Sequence, residues 1–570
     1  MVSRKKTPFR NTFSTSRIKD LDPDEILLDA ENLPRFNTDQ FEGRIEKPIS
    51  VRTFAIFGFA VAVIFFIFLS KAFLLQAVHG SDYFAKSENN HLHDTVLFAN
   101  RGIIFDRTGM KLAWNEPAAS SSDFNLRAYT DLPGLSHAVG YVSYPSKDSS
   151  GFYYDTSLSG EDGAEQYYND TLSGQNGTRI VEVDASGNMQ SQNVEQDPVD
   201  GKNLTLSIDA ALSSEMYTAI ASLAKSAGYT GGAGVIMDVH TGEVLALTSY
   251  PEYSSQVMTD HTDSALIKQY LADKNNPFLD RVTNGLYTPG SIVKPFIATG
   301  ALAEHVIDPS TKILSTGSIS LPNPYDPAHP SVFKDWRAQG WVDMEHALAV
   351  SSDVYFYEVG GGFENQKGLG ITMIDTFMNL FGFGDDLPGG FFAGTAGTIP
   401  TPAWKAANFN GDAWRIGDTY HTAIGQYGFQ VTPIQAVRAD ASLANGGILL
   451  TPSIIKGGDG SPGIDLHLDQ NNLNIVRAGM RLAVTEGVAG VVNAPYVDVA
   501  AKTGTAQLGA RKQFVNSWVT GFFPYQNPQY AFAIIMEKGP VANTMGATYA
   551  MRQTLDWMDA NRPEYLGISQ

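Results

Sequence analysis

"YTPGSIVKPF", Tyr287 to Phe296, places a serine and a lysine one helical turn apart behind a Pro-Gly turn. Spacing alone decides nothing, because a serine followed three places on by lysine also begins at Ser3, Ser16, Ser222, Ser331 and Ser453. The setting separates them. Ile292, Val293, Phe296 and Ile297 make the segment apolar on nearly every side, so it reads as a core helix that Ser291 caps or opens, with Pro295 at the limit of the first turn. Lys294 then lies almost above Ser291 on a buried helix, where an unpaired ammonium is expensive. Either a carboxylate pairs with it or its pKa falls. A lysine of lowered pKa beside a serine is a general base beside a nucleophile. The other five pairs fall in the N-terminal stretch, at the end of an amphipathic helix, or in polar or Gly/Pro-bounded stretches, and read as surface coincidences.

Outward from this segment, 570 residues with 43% hydrophobic content are enough for several folded domains. A formal net charge of -20 without a dense Lys/Arg cluster beyond the first residues excludes nucleic acid as a partner. Cysteine is absent, which excludes disulfides, thiolate metal sites and a cysteine nucleophile. "TFAIFGFAVAVIFFIFLSKAFLL", Thr53 to Leu75, has the length and apolarity of one membrane helix, with Lys71 able to run its stem to the interface. A cleaved signal peptide is the rival, but the long polar stretch before the apolar run favours an anchor. Arg44, Lys47 and Arg52 favour an N-terminus kept inside, with the rest of the chain outside.

The expected organisation is a cytoplasmic, disordered tail over 1–52, an anchor over 53–75, a pedestal over 76–205 and a large domain over 206–570. In the pedestal, "RGIIFDRTGMKLAWN" reads as a hairpin, "GAEQYYNDTL" as a short helix, and "TRIVEVDASGNMQ" as a second hairpin turning at Ala185-Ser186-Gly187. From Asn203 on, "NLTLSID" reads as a strand, "AALSSEMYTAIASLAKSAG" as a helix ending at glycine, and "GAGVIMDVHTGEVLALTSY" as two buried strands. "NSWVTGFFPYQNPQYAFAIIMEK" supplies two more strands and the last residues a helix. The pattern predicts an α+β fold, an antiparallel sheet drawn from both ends of the region with helices packed on it.

Two further stretches complete a reactive set. "AVSSDVYFYEVG" puts Ser351, Ser352 and Asp353 at the head of an aromatic-rich helix, and "AAKTGTAQ" puts Lys502, Thr503, Gly504 and Thr505 on a strand. With these the chain resembles the penicillin-binding transpeptidases and serine β-lactamases, whose motifs are serine-x-x-lysine, serine-aspartate-asparagine and lysine-threonine-glycine. Aspartate at 353 in place of asparagine resembles the class B penicillin-binding protein 2 group that serves cell elongation. "RGIIFDRTGMKLAWN", "GAEQYYNDTLSG", "FKDWRAQG" and "AIGQYGFQVTPIQ" agree with that group.

The resemblance implies that Ser291 attacks, Lys294 takes its proton, and Ser351 relays a proton toward the leaving group while Lys502 supplies positive charge. It implies an oxyanion hole from the Ser291 and Thr505 N–H groups, a carboxylate site from the Thr503 and Thr505 hydroxyls, and a Gly504 that lets substrate backbone approach the strand. An aspartate at 353 near Lys294 favours that lysine's charged form, so the base must first lose its proton. Some members of the group hold a metal through a cysteine; with none here, neither metal nor cofactor is expected.

The implied function is a membrane-anchored D,D-transpeptidase of the inner (cytoplasmic) membrane, acylated by D-Ala-D-Ala stem peptides and by β-lactams and passing the acyl group to an amine of a second peptidoglycan strand. Implied partners are a membrane glycosyltransferase of the shape, elongation, division and sporulation family and other elongation-complex proteins. A carboxypeptidase or β-lactamase, and a non-enzymatic β-lactam sensor or wall-synthesis scaffold, are the alternatives. His240 in "HTG" reads as a hairpin turn, His421 as a polar neighbour, and Tyr355, Phe356 and Tyr357 as core. Trp404, Trp414 and Arg415 read equally as cleft lining or surface packing.

Overall fold

The structure is a computed structural model that describes residues 50–89, 92–117, 123–149, 152–183, 189–323, 326–384, 386–387, 390–458, 462–509 and 511–567. Residues 1–49, nearly all of the expected tail, and the 184–188 turn lie outside these. The chain divides into two compact units at residues 91/92.

In the first unit, helix α1 (Val51–Phe73) starts at Ser50, whose Oγ accepts the Thr53 N–H, and continues as a π-helical turn over Leu74–Val78. It is long and apolar enough to cross a membrane, and none of its apolar surface is buried within the protein. A second helix follows over Gly80–Asn89.

The second unit begins with the pedestal. Its "RGIIFDRTGMKLAWN" hairpin pairs Ile104–Phe105 with Lys111–Glu116, which pairs in turn with Leu126–Tyr129. Asp106 closes the turn: one oxygen accepts N–H groups from Thr108 and Met110, both at 2.8 Å, and the other accepts that of Ala210 at 3.1 Å. The expected "NLTLSID" strand shortens to Leu204–Thr205, parallel to Ile104–Phe105, so it joins the pedestal sheet. A separate sheet pairs Gly177–Val183 with both Leu92–Leu97 and Met189–Gln196. Under the first sheet, Glu165 takes Arg101 at 2.5 Å and Arg127 at 2.7 Å, all three side chains buried.

The large domain is built on five antiparallel strands, β1 (Gly231–Asp238), β2 (Val244–Tyr250), β3 (Ala500–Leu508), β4 (Phe514–Phe523) and β5 (Tyr530–Pro540), in the order β2-β1-β5-β4-β3. Strands from both ends of the domain thus share one sheet, as the sequence pattern predicts. Along β5 the side chains alternate between two cores: Phe532, Ile534 and Met536 enter one, Ala531, Ala533 and Ile535 the other. A strand covered on both faces reads as an unbroken apolar run, which is what "YAFAIIM" is. The first core is closed by α2 (Ala210–Ala227) and the C-terminal helix Ala547–Asn561, the second by the helix Pro433–Ala444 and by the segment carrying Ser291. Asp209 caps α2 at one end and left-handed Gly228 ends it at the other.

Candidate active site

The serine of "YTPGSIVKPF" stands where two fastened elements meet. Tyr287 and Val431 exchange both backbone bonds at 2.9 Å, the Trp518 indole N–H donates to the Thr288 carbonyl at 3.0 Å, and Gly290 N–H donates to Gly425 at 2.9 Å. Gly290 has φ +57°, and a Cβ there would stand 3.2 to 3.3 Å from the Thr505 backbone. The turn therefore requires glycine, and it lies close against the Thr505 backbone. A 3-10 turn over Gly290–Val293 follows, and helix α3 (Lys294–Ala303) begins at the lysine, three residues later than a helix opened by Ser291. From Gly290 to Leu302 only Ser291 is not buried. Among the described residues its hydroxyl has no side-chain partner, so it is free to meet a ligand.

Lys294 is wholly buried, and its ammonium donates to Asp353 Oδ1 at 2.6 Å, the Ser351 carbonyl at 2.8 Å and Ser351 Oγ at 3.3 Å. It also lies 5.4 Å from the Phe356 ring centroid. The partner that a buried ammonium requires is thus Asp353. Ser351 has φ +56°, a left-handed conformation that costs a non-glycine residue on the order of 1–3 kcal/mol and persists only where its surroundings impose it. Asp335 holds the backbone that follows Ser351. One of its oxygens accepts Ser352 Oγ at 2.8 Å, Ser315 Oγ at 3.0 Å and Val354 N–H at 3.1 Å. Ser352 in turn caps helix α4 (Asp353–Gly361), on which Tyr355, Phe356 and Tyr357 are core as expected.

Lys502, fully buried on β3, donates to Ser351 Oγ at 2.8 Å and to the Thr503 carbonyl at 2.9 Å. Burial, and after it the Lys294 ammonium, push its pKa well below the lysine range, against a weaker pull from Asp353. Lys502, expected to supply positive charge, stands where its surroundings disfavour the charged form. Beyond it the edge strand alternates: Thr505 and Gln507 are exposed and Thr503 half-buried, while Gly504 and Ala506 are buried. At Gly504 a Cβ would lie 2.5 Å from the Pro289 carbonyl oxygen and 2.9 Å from Ile292 Cγ2, so the missing side chain makes room for the turn that carries Ser291.

Ser291, Lys294, Ser351, Asp353, Lys502, Thr503 and Thr505 therefore converge where β3 meets α3 and α4. The rival pairs do not: Ser331–Lys334 forms a hairpin strand, Ser222 lies within α2, Ser453 bonds Ile455 locally, and Ser3 and Ser16 lie outside the described residues. His240 sits in the β1–β2 turn, its N–H bound to Asp238. His421 packs against the Phe333 ring at 5.4 Å, and burial, then Lys512, lowers its pKa. Trp404 and Trp414 pack on Tyr427, and Arg415 pairs with Asp412. Among the described residues no group of three or more His, Asp or Glu converges as metal ligands.

The family described as the penicillin binding protein transpeptidase domain matches residues 232–555, more than half of the chain. The chain belongs to this transpeptidase family. The penicillin-binding protein dimerisation domain matches residues 117–206 of the transpeptidase, in the pedestal. The transpeptidase is 32% identical over 481 residues to the peptidoglycan D,D-transpeptidase MrdA of Haemophilus influenzae, covering 77% of this chain and 70% of that one. It resembles Pseudomonas aeruginosa PBP2, solved in complex with WCK 5153, at 30% identity and a TM-score of 0.66, over 82% of this chain and 97% of that one. Helicobacter pylori PBP2, solved as a complex with MreC, resembles it at 25% identity and a TM-score of 0.67, over 82% of this chain and 99% of that one.

Sequence reasoning missed Asp335, quoted only within "FKDWRAQG", because nothing in a short polar stretch marks one aspartate as buried. It also missed Lys405, buried against Asp418 at 2.7 Å and Asp412 at 3.1 Å, in a stretch singled out only for its aromatics.

Proposed function

We propose that the transpeptidase cross-links peptidoglycan by D,D-transpeptidation, with Ser291 as the acylated residue. The observation that carries this is the Ser351 hydroxyl shared by two lysines, 3.3 Å from Lys294 and 2.8 Å from Lys502. Lys294, held in an ion pair by Asp353, passes a proton to Ser351 Oγ as Ser351 passes its own to the Lys502 amine. Lys294 is then neutral and takes the proton of Ser291 as Oγ bonds to the carbonyl carbon of the penultimate D-alanine. The tetrahedral oxyanion faces the Ser291 and Thr505 N–H groups. The C–N bond breaks, a proton returns through Ser351 to the departing D-alanine amine, and an amine of a second strand repeats these steps in reverse. Lys502 thus acquires its charge during the reaction, beside the Thr503 and Thr505 hydroxyls that receive the donor's terminal carboxylate.

The relatives' names support this activity, and the MreC complex of the Helicobacter relative supports work within an elongation assembly. The apolar helix α1 supports a single-pass anchor in the cytoplasmic membrane with the N-terminus inside, the tail, pedestal and large domain following the expected boundaries. Among its described residues the pedestal supplies no second catalytic constellation, and glycan polymerisation falls to a membrane glycosyltransferase partner. The test is intact mass after penicillin treatment of the full chain in detergent, wild type beside Ser291→Ala. An adduct confined to Ser291 in the wild type is expected. An adduct that persists in the variant assigns the nucleophile elsewhere, and rapid loss of the wild-type adduct makes the protein a hydrolase.

A further inference from the structure

Trp336 and Arg337 lie outside the machinery above, at a place the fold has fixed with unusual care. Trp336 is 53% exposed. Its indole N–H nevertheless donates to the Val350 carbonyl at 3.1 Å, one residue before Ser351. Its backbone N–H donates to Asp335 at 2.8 Å, and Asp335 is bonded to Ser352 and Val354 on the other side of Ser351. An exposed aromatic ring is thus tied to the relay loop through both its backbone and its side chain. Arg337 lies over that ring, 4.3 Å from its centroid, and its Nε donates to Gln339 Oε1 at 3.1 Å. Among the described residues no carboxylate pairs with Arg337, and its two terminal nitrogens donate to nothing. Arg415, Arg552 and Arg562 each hold a carboxylate, while Arg179 and Arg477, also without one, each spend a terminal nitrogen on a polar partner. A stacked guanidinium with its outer edge free is a planar, preorganised fork for a carboxylate.

We propose that Trp336 and Arg337, fastened to the loop that carries Ser351, form a subsite for a carboxylate carried by the donor peptide upstream of its D-Ala-D-Ala end. The inference rests on the reading of Ser291 as the residue such a peptide acylates. The donor's terminal carboxylate is assigned to Thr503 and Thr505 on β3, so a second carboxylate further along the peptide needs a second cation. The loop joined to β3 through the Lys502–Ser351 bond supplies one. The guanidinium meets the carboxylate while the indole covers the adjoining peptide backbone, and the two residues set which donors are accepted without touching the reacting atoms.

The test uses the full chain in detergent and two pentapeptides ending in D-Ala-D-Ala, one with a free side-chain carboxylate at its middle residue and one with that group amidated. D-Alanine release gives kcat/KM, and labelled penicillin gives the acylation rate of Ser291. Wild type is expected to prefer the acidic peptide, and Arg337→Gln to lose about tenfold on it, the equivalent of one good polar contact, while its rates with the amidated peptide and with penicillin hold. Arg337→Lys restores part of the preference. An unchanged preference in Arg337→Gln, or an equal loss on both peptides, overturns the subsite while leaving the transpeptidase reading intact. Absence of a penicillin adduct at Ser291 in the wild type overturns that reading and the subsite with it.

Discussion

Two buried clusters in this molecule have the same residue inventory, two basic side chains and one carboxylate. In the pedestal, Arg101 and Arg127 flank Glu165, and the surplus charge is spread over the carbonyls of Leu158, Glu165 and Gly102. In the large domain, Lys294 and Lys502 surround Ser351, and only Lys294 contacts the carboxylate of Asp353. Arginine does not titrate in proteins, so the pedestal cluster is a fixed structure. A lysine can shed a proton when burial and a neighbouring ammonium press on it, so the second cluster has a place to store one. The difference between a brace and a relay lies in which cation occupies the second position.

The sharpest way to break this comparison is to make the relay resemble the brace. Lys502→Arg, a cation that cannot lose its proton, is expected to lower penicillin acylation of Ser291 by roughly a thousandfold, the scale of a lost acid–base group, with the fold retained by circular dichroism. A rate near wild type would mean that a fixed charge suffices at 502. For the wild type the same logic fixes a sign: Lys502 must be neutral to accept a proton, so acylation rises with pH. Because its pKa is depressed, the rise is complete below the ordinary lysine range, as a stopped-flow pH profile would register. Removing the carboxylate of the brace should act on stability instead. Glu165→Gln leaves two buried arginines without a counter-charge and is expected to cost about 3–5 kcal/mol in urea unfolding, with Ser291 acylation unchanged wherever the domain stays folded.

A pH-dependent effect comes from a carboxylate with no cation at all. Asp440, fully buried on the helix Pro433–Ala444, has no well-formed hydrogen bond, and burial, against a weaker pull from the Thr520 hydroxyl, raises its pKa to about 8. Between the unfolded value of 3.8 and about 8 the folded state holds the extra proton, so stability falls as pH rises across that window. Each pH unit there is worth about 1.4 kcal/mol. Asp440→Asn should flatten that slope in unfolding free energies measured from pH 5 to 8, and a variant with the wild-type slope would show that Asp440 ionises normally.

Where the physics is periodic, the sequence was readable. The apolar run after Ser291, the strands on both sides of the domain, and the glycine ending α2 are repeating or terminal signals, and the elements formed where those signals stood. The meeting of Ser291, Ser351 and Lys502 was legible only through motif order, since no periodicity brings residues 60 and 211 positions apart into one site. What stayed hidden depends on the environment. Glu165 sat in "GAEQYYNDTL", an ordinary polar helix by pattern, and Asp335 in a hairpin whose burial comes from α4. Gly504 announced a close approach but not its partner, because a missing side chain carries no address.

The strand order has a consequence for how the chain is made. β1 and β2 are complete early, yet the neighbour of β1 on its other side is β5, with Asp238 opposite Tyr530. At typical synthesis speeds of about 5–20 residues per second, that edge waits roughly 15–60 s for its partner. Until then it is an unpaired apolar strand open to any other nascent chain. A holding chaperone is most needed in that interval, and truncation anywhere before β5 should yield aggregates, not a smaller working domain.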